Sequence, residues 1–310
     1  MQNKRILPLL VAMACTVLTA RAQQLPQLTQ YQFNDYVFNP AVAGTRQFFE
    51  LRSGHRYQWV GIQDAPRTFT LSGTTPLGSK MGVGGLLFTD IVGPTRRTGL
   101  QFSYAYHLKL TEDLKLSLAL SGGILQFLID GSKIQLHDNG DPTMDNQLRG
   151  GVEADATFGG MLYHPKYWVG ITVPQLLGNK VNFLNETDGT LSRMERHYYL
   201  MGGYRLPLGT DFKLEPSVLV KYVAPVPVKV DVTAIIRYKD TFWVGGTYRT
   251  NDAFCAMVGY WHKQQFQFGY SYDVITSNLK NYSTGTHEVM LAITIGKQPV
   301  APPADGAVSP

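Results

Sequence analysis

Val228-Lys229-Val230-Asp231-Val232-Thr233-Ala234-Ile235-Ile236-Arg237-Tyr238 decides the fold. Val228, Val230, Val232, Ala234, Ile236 and Tyr238 fall on one face of an extended chain. Lys229, Asp231, Thr233 and Arg237 fall on the other, where Ile235 is the one apolar exception. Successive side chains of a strand point to opposite faces, so the stretch reads as a β-strand with one apolar and one polar face. The same period recurs along the chain. Leu100, Phe102, Tyr104, Tyr106 and Leu108 alternate with Gln101, Ser103, Ala105 and His107. Leu114, Leu116, Leu118 and Leu120 alternate with Lys115, Ser117, Ala119 and Ser121. Phe266, Phe268, Tyr270 and Tyr272 form such a face, as do Val289, Leu291, Ile293 and Ile295.

A soluble β-sandwich also alternates, so the residues of the second face carry the distinction. Gly, Ser, Thr, Gln and charged residues occupy it, with few large apolar side chains. That composition suits a wet lumen with lipid outside. Composition agrees: charged residues make up 16% of the chain, against about 25% in ordinary soluble domains. No stretch after the N-terminus approaches the roughly 20 apolar residues of a spanning helix. A closed barrel is the other structure that satisfies its backbone in lipid.

The first residues point to the compartment. Lys4 and Arg5 precede an apolar run from Ile6 to Leu18, and Ala20-Arg21-Ala22 ends it. A basic start, a short apolar core and an Ala-x-Ala end predict a secretory signal peptide over residues 1–22. Its removal takes away Lys4, Arg5 and Arg21, so the formal charge falls from +5 to +2. That balance argues against nucleic acid as a partner. Cys15 leaves with the signal, so Cys255 has no disulfide partner within the chain.

Alternation predicts about fourteen strands, near 46–58, 66–75, 81–90, 96–108, 114–129, 151–163, 166–173, 194–206, 212–223, 227–238, 241–250, 253–262, 264–273 and 287–296. The connections test this count independently. Every second one should be a short periplasmic turn, and Pro76–Lys80, Lys109–Asp113, His164-Pro165, Pro207–Asp211, Lys239-Asp240 and Lys263 are all short. The other set contains the three longest, Asp130–Gly150, Pro174–Arg193 and Val274–Thr286, as expected of external loops. Tyr57 and Trp59 at outer strand ends, with Tyr167-Trp168, Phe242-Trp243 and Tyr260-Trp261 at inner ends, predict two aromatic girdles. Residues 23–44 are expected as a periplasmic N-terminal segment, 45–296 as the barrel, and the Pro- and Ala-rich residues 297–310 as a disordered periplasmic tail.

Chemistry is nearly absent. There is no nucleophile elbow, Walker loop or paired-histidine zinc motif, so no enzyme activity, cofactor or metal is expected. Gly82, Gly84 and Gly85 lie in a strand with no helix after them and read as relief of crowding, not as a phosphate loop. His137 with Asp138, Asp141 and Asp145 lacks EF-hand spacing and reads as a solvated acidic loop. Asn185-Glu186-Thr187 matches a glycosylation acceptor, which carries little weight in a bacterial loop. The inward charges are more informative. Glu153, Asp155, Arg205, Lys221, Lys229, Asp231 and Arg237 are expected in the lumen, either paired in a salt-bridge network or lining a charge-selective pore.

The first hairpins carry a resemblance. Phe38-Asn39-Pro40-Ala41-Val42-Ala43-Gly44 is followed by Arg56-Tyr57-Gln58-Trp59-Val60-Gly61-Ile62, then Ala65-Pro66-Arg67-Thr68, then Gly82-Val83-Gly84-Gly85, with Asp90 and Gly93 closing the third strand. This order resembles the PorP/SprF family of outer-membrane proteins in Bacteroidetes. Asn39, Pro40, Gly44, Gln58, Trp59, Pro66 and Thr68 are its most specific positions, and Asn34-Asp35-Tyr36-Val37 departs from the more apolar lead expected there. The resemblance implies an outer-membrane, non-enzymatic part of type IX secretion and gliding. Implied partners are membrane lipid, secreted adhesin cargo and periplasmic proteins linked to secretion or peptidoglycan. Residues 23–44 are a candidate docking segment, and a diffusion channel for small solutes is the alternative.

Overall fold

The computed structural model describes residues 25–134, 148–181 and 192–296. The signal segment 1–22, the acidic loop from His137 to Asp145, Asn185-Glu186-Thr187 and the tail 297–310 lie outside the described residues. Long alternating runs leave each backbone only one way to satisfy itself without water: pairing on both edges. The chain does so as an up-and-down meander. The strands are β1 (Phe49–Val60), β2 (Arg67–Leu77), β3 (Met81–Val92), β4 (Thr95–Lys109), β5 (Lys115–Asp130), β6 (Leu148–Tyr163) and β7 (Tyr167–Val173). They continue as β8 (Tyr198–Tyr204, prolonged by Leu206–Leu208), β9 (Phe212–Val223), β10 (Val226–Tyr238), β11 (Phe242–Arg249), β12 (Ala253–His262), β13 (Phe266–Ile275) and β14 (Gly285–Ile295). Each pairs antiparallel with its neighbours in sequence. β1 closes onto β14 in a register that begins at Phe49 opposite Ile295. The result, among the described residues, is a closed barrel of fourteen strands.

β8 bends at Arg205, between its two parts, and both parts pair with β9. A short ribbon, Lys180–Val181 with Ser192–Arg193, is the one pairing outside the barrel among the described residues.

The outward face is apolar. Phe102, Leu120, Val232, Val258 and Leu291 are exposed large hydrophobic residues in mid-strand. Aromatic rings border this band at both ends, though not as the sequence suggested. Tyr167 stacks on Tyr204, and Phe212 and Phe242 lie against Tyr238 and Tyr260 at 4.9 and 4.8 Å between ring centres, all near the short-turn end. Tyr198 with Tyr222 and Tyr248 with Phe254 do the same near the long-loop end. The indoles expected beside the inner rings turn the other way, because adjacent residues of a strand face opposite sides. Trp243 is 1% exposed, and Trp168 and Trp261 line the interior.

Residues 25–44, expected to project outside the barrel, run through it. Leu25 lies beside Lys221, Val226 and Lys229 at the long-loop end. Ala43 lies against His107 and Gly82 at the short-turn end. Two short 3-10 turns, Asp35–Val37 and Pro40–Val42, shape the segment between. Leu28, Tyr31, Phe33, Tyr36, Phe38 and Val42 are all buried. The barrel is therefore filled by its own N-terminal segment.

Candidate functional site

Why the segment stays inside follows from what it meets. Tyr31 Oη lies 2.7 Å from Ser217 Oγ on β9, and Tyr36 Oη hydrogen bonds with Ser103 on β4. Asn34 donates to Thr70 and accepts from Ser72 on β2. Phe33 stacks on Trp243 at 4.0 Å, in a cluster with Ile235, Met257 and Met290. Two glycines of β3 admit the plug. A methyl group at Gly82 would overlap the Ala43 carbonyl, and one at Gly84 would strike the Tyr36 ring. The plug leaves the lumen through Gly44, whose φ of +75° is left-handed backbone that glycine adopts without strain.

The strongest fastening is ionic. Glu288 on β14 accepts the backbone N–H groups of Thr29 (2.7 Å) and Gln30 (2.9 Å), one on each carboxylate oxygen. Thr29 Oγ1 donates to Asp273 on β13 at 2.9 Å and accepts from Arg56 on β1 (2.8 Å) and Arg249 on β11 (3.1 Å). Arg56 bridges Asp273 at 2.8 Å and Glu288 at 2.9 Å. Arg249 reaches Asp273 at 3.1 Å and Asp231 at 3.5 Å, and Asp231 pairs with Lys221 at 2.9 Å. Three acids thus face three bases across six strands, with a plug threonine at the centre. Buried charges are tolerated only when paired and hydrogen-bonded in this manner. A second cluster sits at the short-turn mouth, where Arg46 bridges Asp35 of the plug (2.7 Å) and Glu50 of β1 (2.9 Å). Burial works against the Arg46 charge, but Asp35 and Glu50 more than offset it and hold the guanidinium protonated.

The whole path, plug and barrel together, matches one family model. Residues 20–293 fit the model described as type IX secretion system membrane protein PorP/SprF. The chain belongs to the PorP/SprF family. Its barrel is similar to two solved structures at TM-score 0.51. One, the CymD monoaromatic hydrocarbon channel, is 14% identical, with 86% of this chain and 93% of that chain covered. The other, the toluene transporter TbuX of Ralstonia pickettii, is 9% identical, with 83% and 92% covered. At these identities they show the fold alone. No curated protein matches the sequence. The PorP/SprF chain is thus an outer-membrane multi-pass β-barrel associated with type IX secretion.

The positions that carry the PorP/SprF resemblance fall in two places. Asn39, Pro40 and Gly44 end the plug. Asn39 Oδ1 accepts from Ala41 N at 2.9 Å, capping the second 3-10 turn, while Nδ2 donates to the Gly160 carbonyl at 3.1 Å. Gln58, Trp59, Pro66 and Thr68 shape the first external turn. Gln58 N donates to the Pro66 carbonyl at 2.9 Å, Trp59 N donates to Thr286 Oγ1 at 3.1 Å, and Thr68 donates to Asp90 at 2.6 Å. The departure at Asn34-Asp35-Tyr36-Val37 has a structural use, since Asn34, Asp35 and Tyr36 each bind the wall or its mouth.

Of the charges expected in the lumen of this PorP/SprF barrel, Lys221 and Asp231 come together in the ionic latch, and Lys229 lies beside Lys221. Arg237 pairs with Glu215 at 2.9 Å in the short-turn mouth. Arg205, exposed at the β8 bend, donates to the Pro165 carbonyl at 3.0 Å in that mouth. Asp155 is buried and accepts from Gln101 at 2.9 Å, and Glu153 shares its face nearer the loops. Sequence reasoning missed Arg56, Arg249, Asp273, Glu288 and Thr29. Period two offered a signal for the first of these: Glu50, Arg52 and Arg56 lie on the inward face of β1. Nothing local marks Thr29.

Proposed function

We propose that this PorP/SprF protein is a non-enzymatic outer-membrane component that supports export or surface attachment of large adhesin-like proteins through contacts on its ends, and not by passing them through its own bore. One observation carries this reading: residues 25–44 fill the lumen and are fastened to strands all around it. Opening that path for a polypeptide means breaking the hydrogen bonds of Thr29 and Gln30 to Glu288, Asp273, Arg56 and Arg249 together with the Asp35–Arg46 pair, at about 1.5–3 kcal/mol for each hydrogen bond to a charged group. Cargo then meets the external loops over 130–150, 174–193 and 274–286. Secretion or peptidoglycan-linked proteins meet the short-turn end and residues 297–310.

The experiment is paired. The full chain in planar bilayers is expected to show no steady conductance, whereas a variant lacking residues 25–44 conducts. Co-purification from native membranes is expected to bring down a surface adhesin or periplasmic secretion proteins. Steady conductance by the full chain would favour the second reading, a diffusion channel for small solutes, which draws support from the channel and transporter names of its structural neighbours.

A further inference from the structure

A partly open cavity lies between the plug and the β2–β6 side of the wall. It measures about 790 Å³ including its mouth. Its lining is mostly apolar, with Leu28, Phe38, Leu86, Phe88 and Leu125 among the residues that face it. Three polar side chains also face it, and each has hydrogen-bonding capacity that nothing among the described residues meets. Asp155, 4% exposed, bonds Gln101 through Oδ2 and leaves Oδ1 without a partner. Gln175, 2% exposed, leaves Oε1 without one. Arg97 lies over the Phe88 ring at 5.4 Å and leaves Nε and Nη2 buried and unmatched.

Buried polar atoms without partners are rare, and each costs about 1–3 kcal/mol. Three side chains of this kind converging on one apolar space define what would satisfy them. Arg97 needs an acceptor, best a carboxylate. Asp155 and Gln175 need N–H or O–H donors. The apolar lining needs a short hydrocarbon group. We propose that this cavity is a binding site for a small amphipathic zwitterion, an amino acid with an apolar side chain, with its carboxylate on Arg97 and its ammonium on Asp155 and Gln175. The site is built jointly by plug and wall, so occupancy strengthens the seating of the plug. It is independent of the secretion reading, which stands or falls on conductance and co-purification.

The test is isothermal titration of the full chain in detergent with L-leucine, 4-methylpentanoate and isoamylamine. L-leucine is expected to bind saturably, and the two analogues, each lacking one charged group, at least tenfold more weakly. Asp155→Asn and Arg97→Gln should each weaken L-leucine binding at least tenfold, in protein whose circular dichroism and protease resistance are unchanged. The native-protein series needs no variant, so a variant that fails to fold leaves the test intact. Absence of saturable L-leucine binding, equal binding of all three probes, or binding unaltered in both folded variants overturns the proposal and leaves a cavity filled with water only.

Discussion

Two sides of the same lumen hold the same plug by different physics. Against β1, β11, β13 and β14 the plug is held by charge: Thr29 and Gln30 are bonded into Arg56, Arg249, Asp273 and Glu288, with almost every distance under 3.2 Å. Against β2–β6 it is held by apolar contact and neutral hydrogen bonds, with no charged partner among those bonds, and there the fit is loose enough to leave a cavity. Charged hydrogen bonds are directional, so they set one register for the plug. Apolar contact is not directional, and it tolerates space beside it at a modest cost. The latch accordingly specifies the position of the plug, and the apolar side leaves room for something else to bind.

Arg56→Leu breaks the comparison at its strongest point. It leaves Asp273 and Glu288 short of a shared partner, and the expected loss is about 3–5 kcal/mol in urea unfolding of the detergent-solubilised barrel. Leu28→Ala weakens the apolar hold on the plug at the edge of the cavity, where Leu28 clusters with Tyr199 and Met201 of β8 and Leu219 of β9. Leu28 is 3% exposed and packs with Tyr31 and Phe38. Removal should cost about 2 kcal/mol, at the low end for a buried leucine because a cavity already borders it. Thr29→Val keeps the shape at the centre of the latch and removes the hydroxyl shared by Arg56, Arg249 and Asp273. About 1–2 kcal/mol should be lost, together with faster proteolysis of the plug. Lys213→Ala, at the exposed pair with Asp240 on the short-turn rim, should change stability by at most about 1 kcal/mol and leave the plug seated. A Leu28→Ala effect exceeding that of Arg56→Leu would reverse the ranking of the ionic hold over the apolar one.

Ile235 shows how much of this was legible. On the inward, polar face of β10 it was the one residue that broke the alternation, and it is fully buried against Phe33, Trp243, Met257 and Met290. An apolar residue facing a lumen is a sign that the lumen is not simply wet. Trp243 carried the same signal but read as a girdle ring, because an aromatic pair at a strand end does not by itself say which member faces lipid. Gly82 and Gly84 were read as relief of crowding, and the crowding proved to come from Ala43 and Tyr36 of the plug.

By itself the sequence determined the closed barrel, its fourteen strands, the long and short ends and the outward apolar band. These follow from period two and turn chemistry, which act over a few residues and are therefore written locally. Only the tertiary structure decided where residues 25–44 go and which charges pair. That segment has no period of its own. Its partners lie as far away as Glu288, 259 residues along the chain from Thr29, and they become neighbours only once β1 has closed onto β14. Until the ring is shut there is no lumen for the plug to fill, so no short stretch of sequence can announce it.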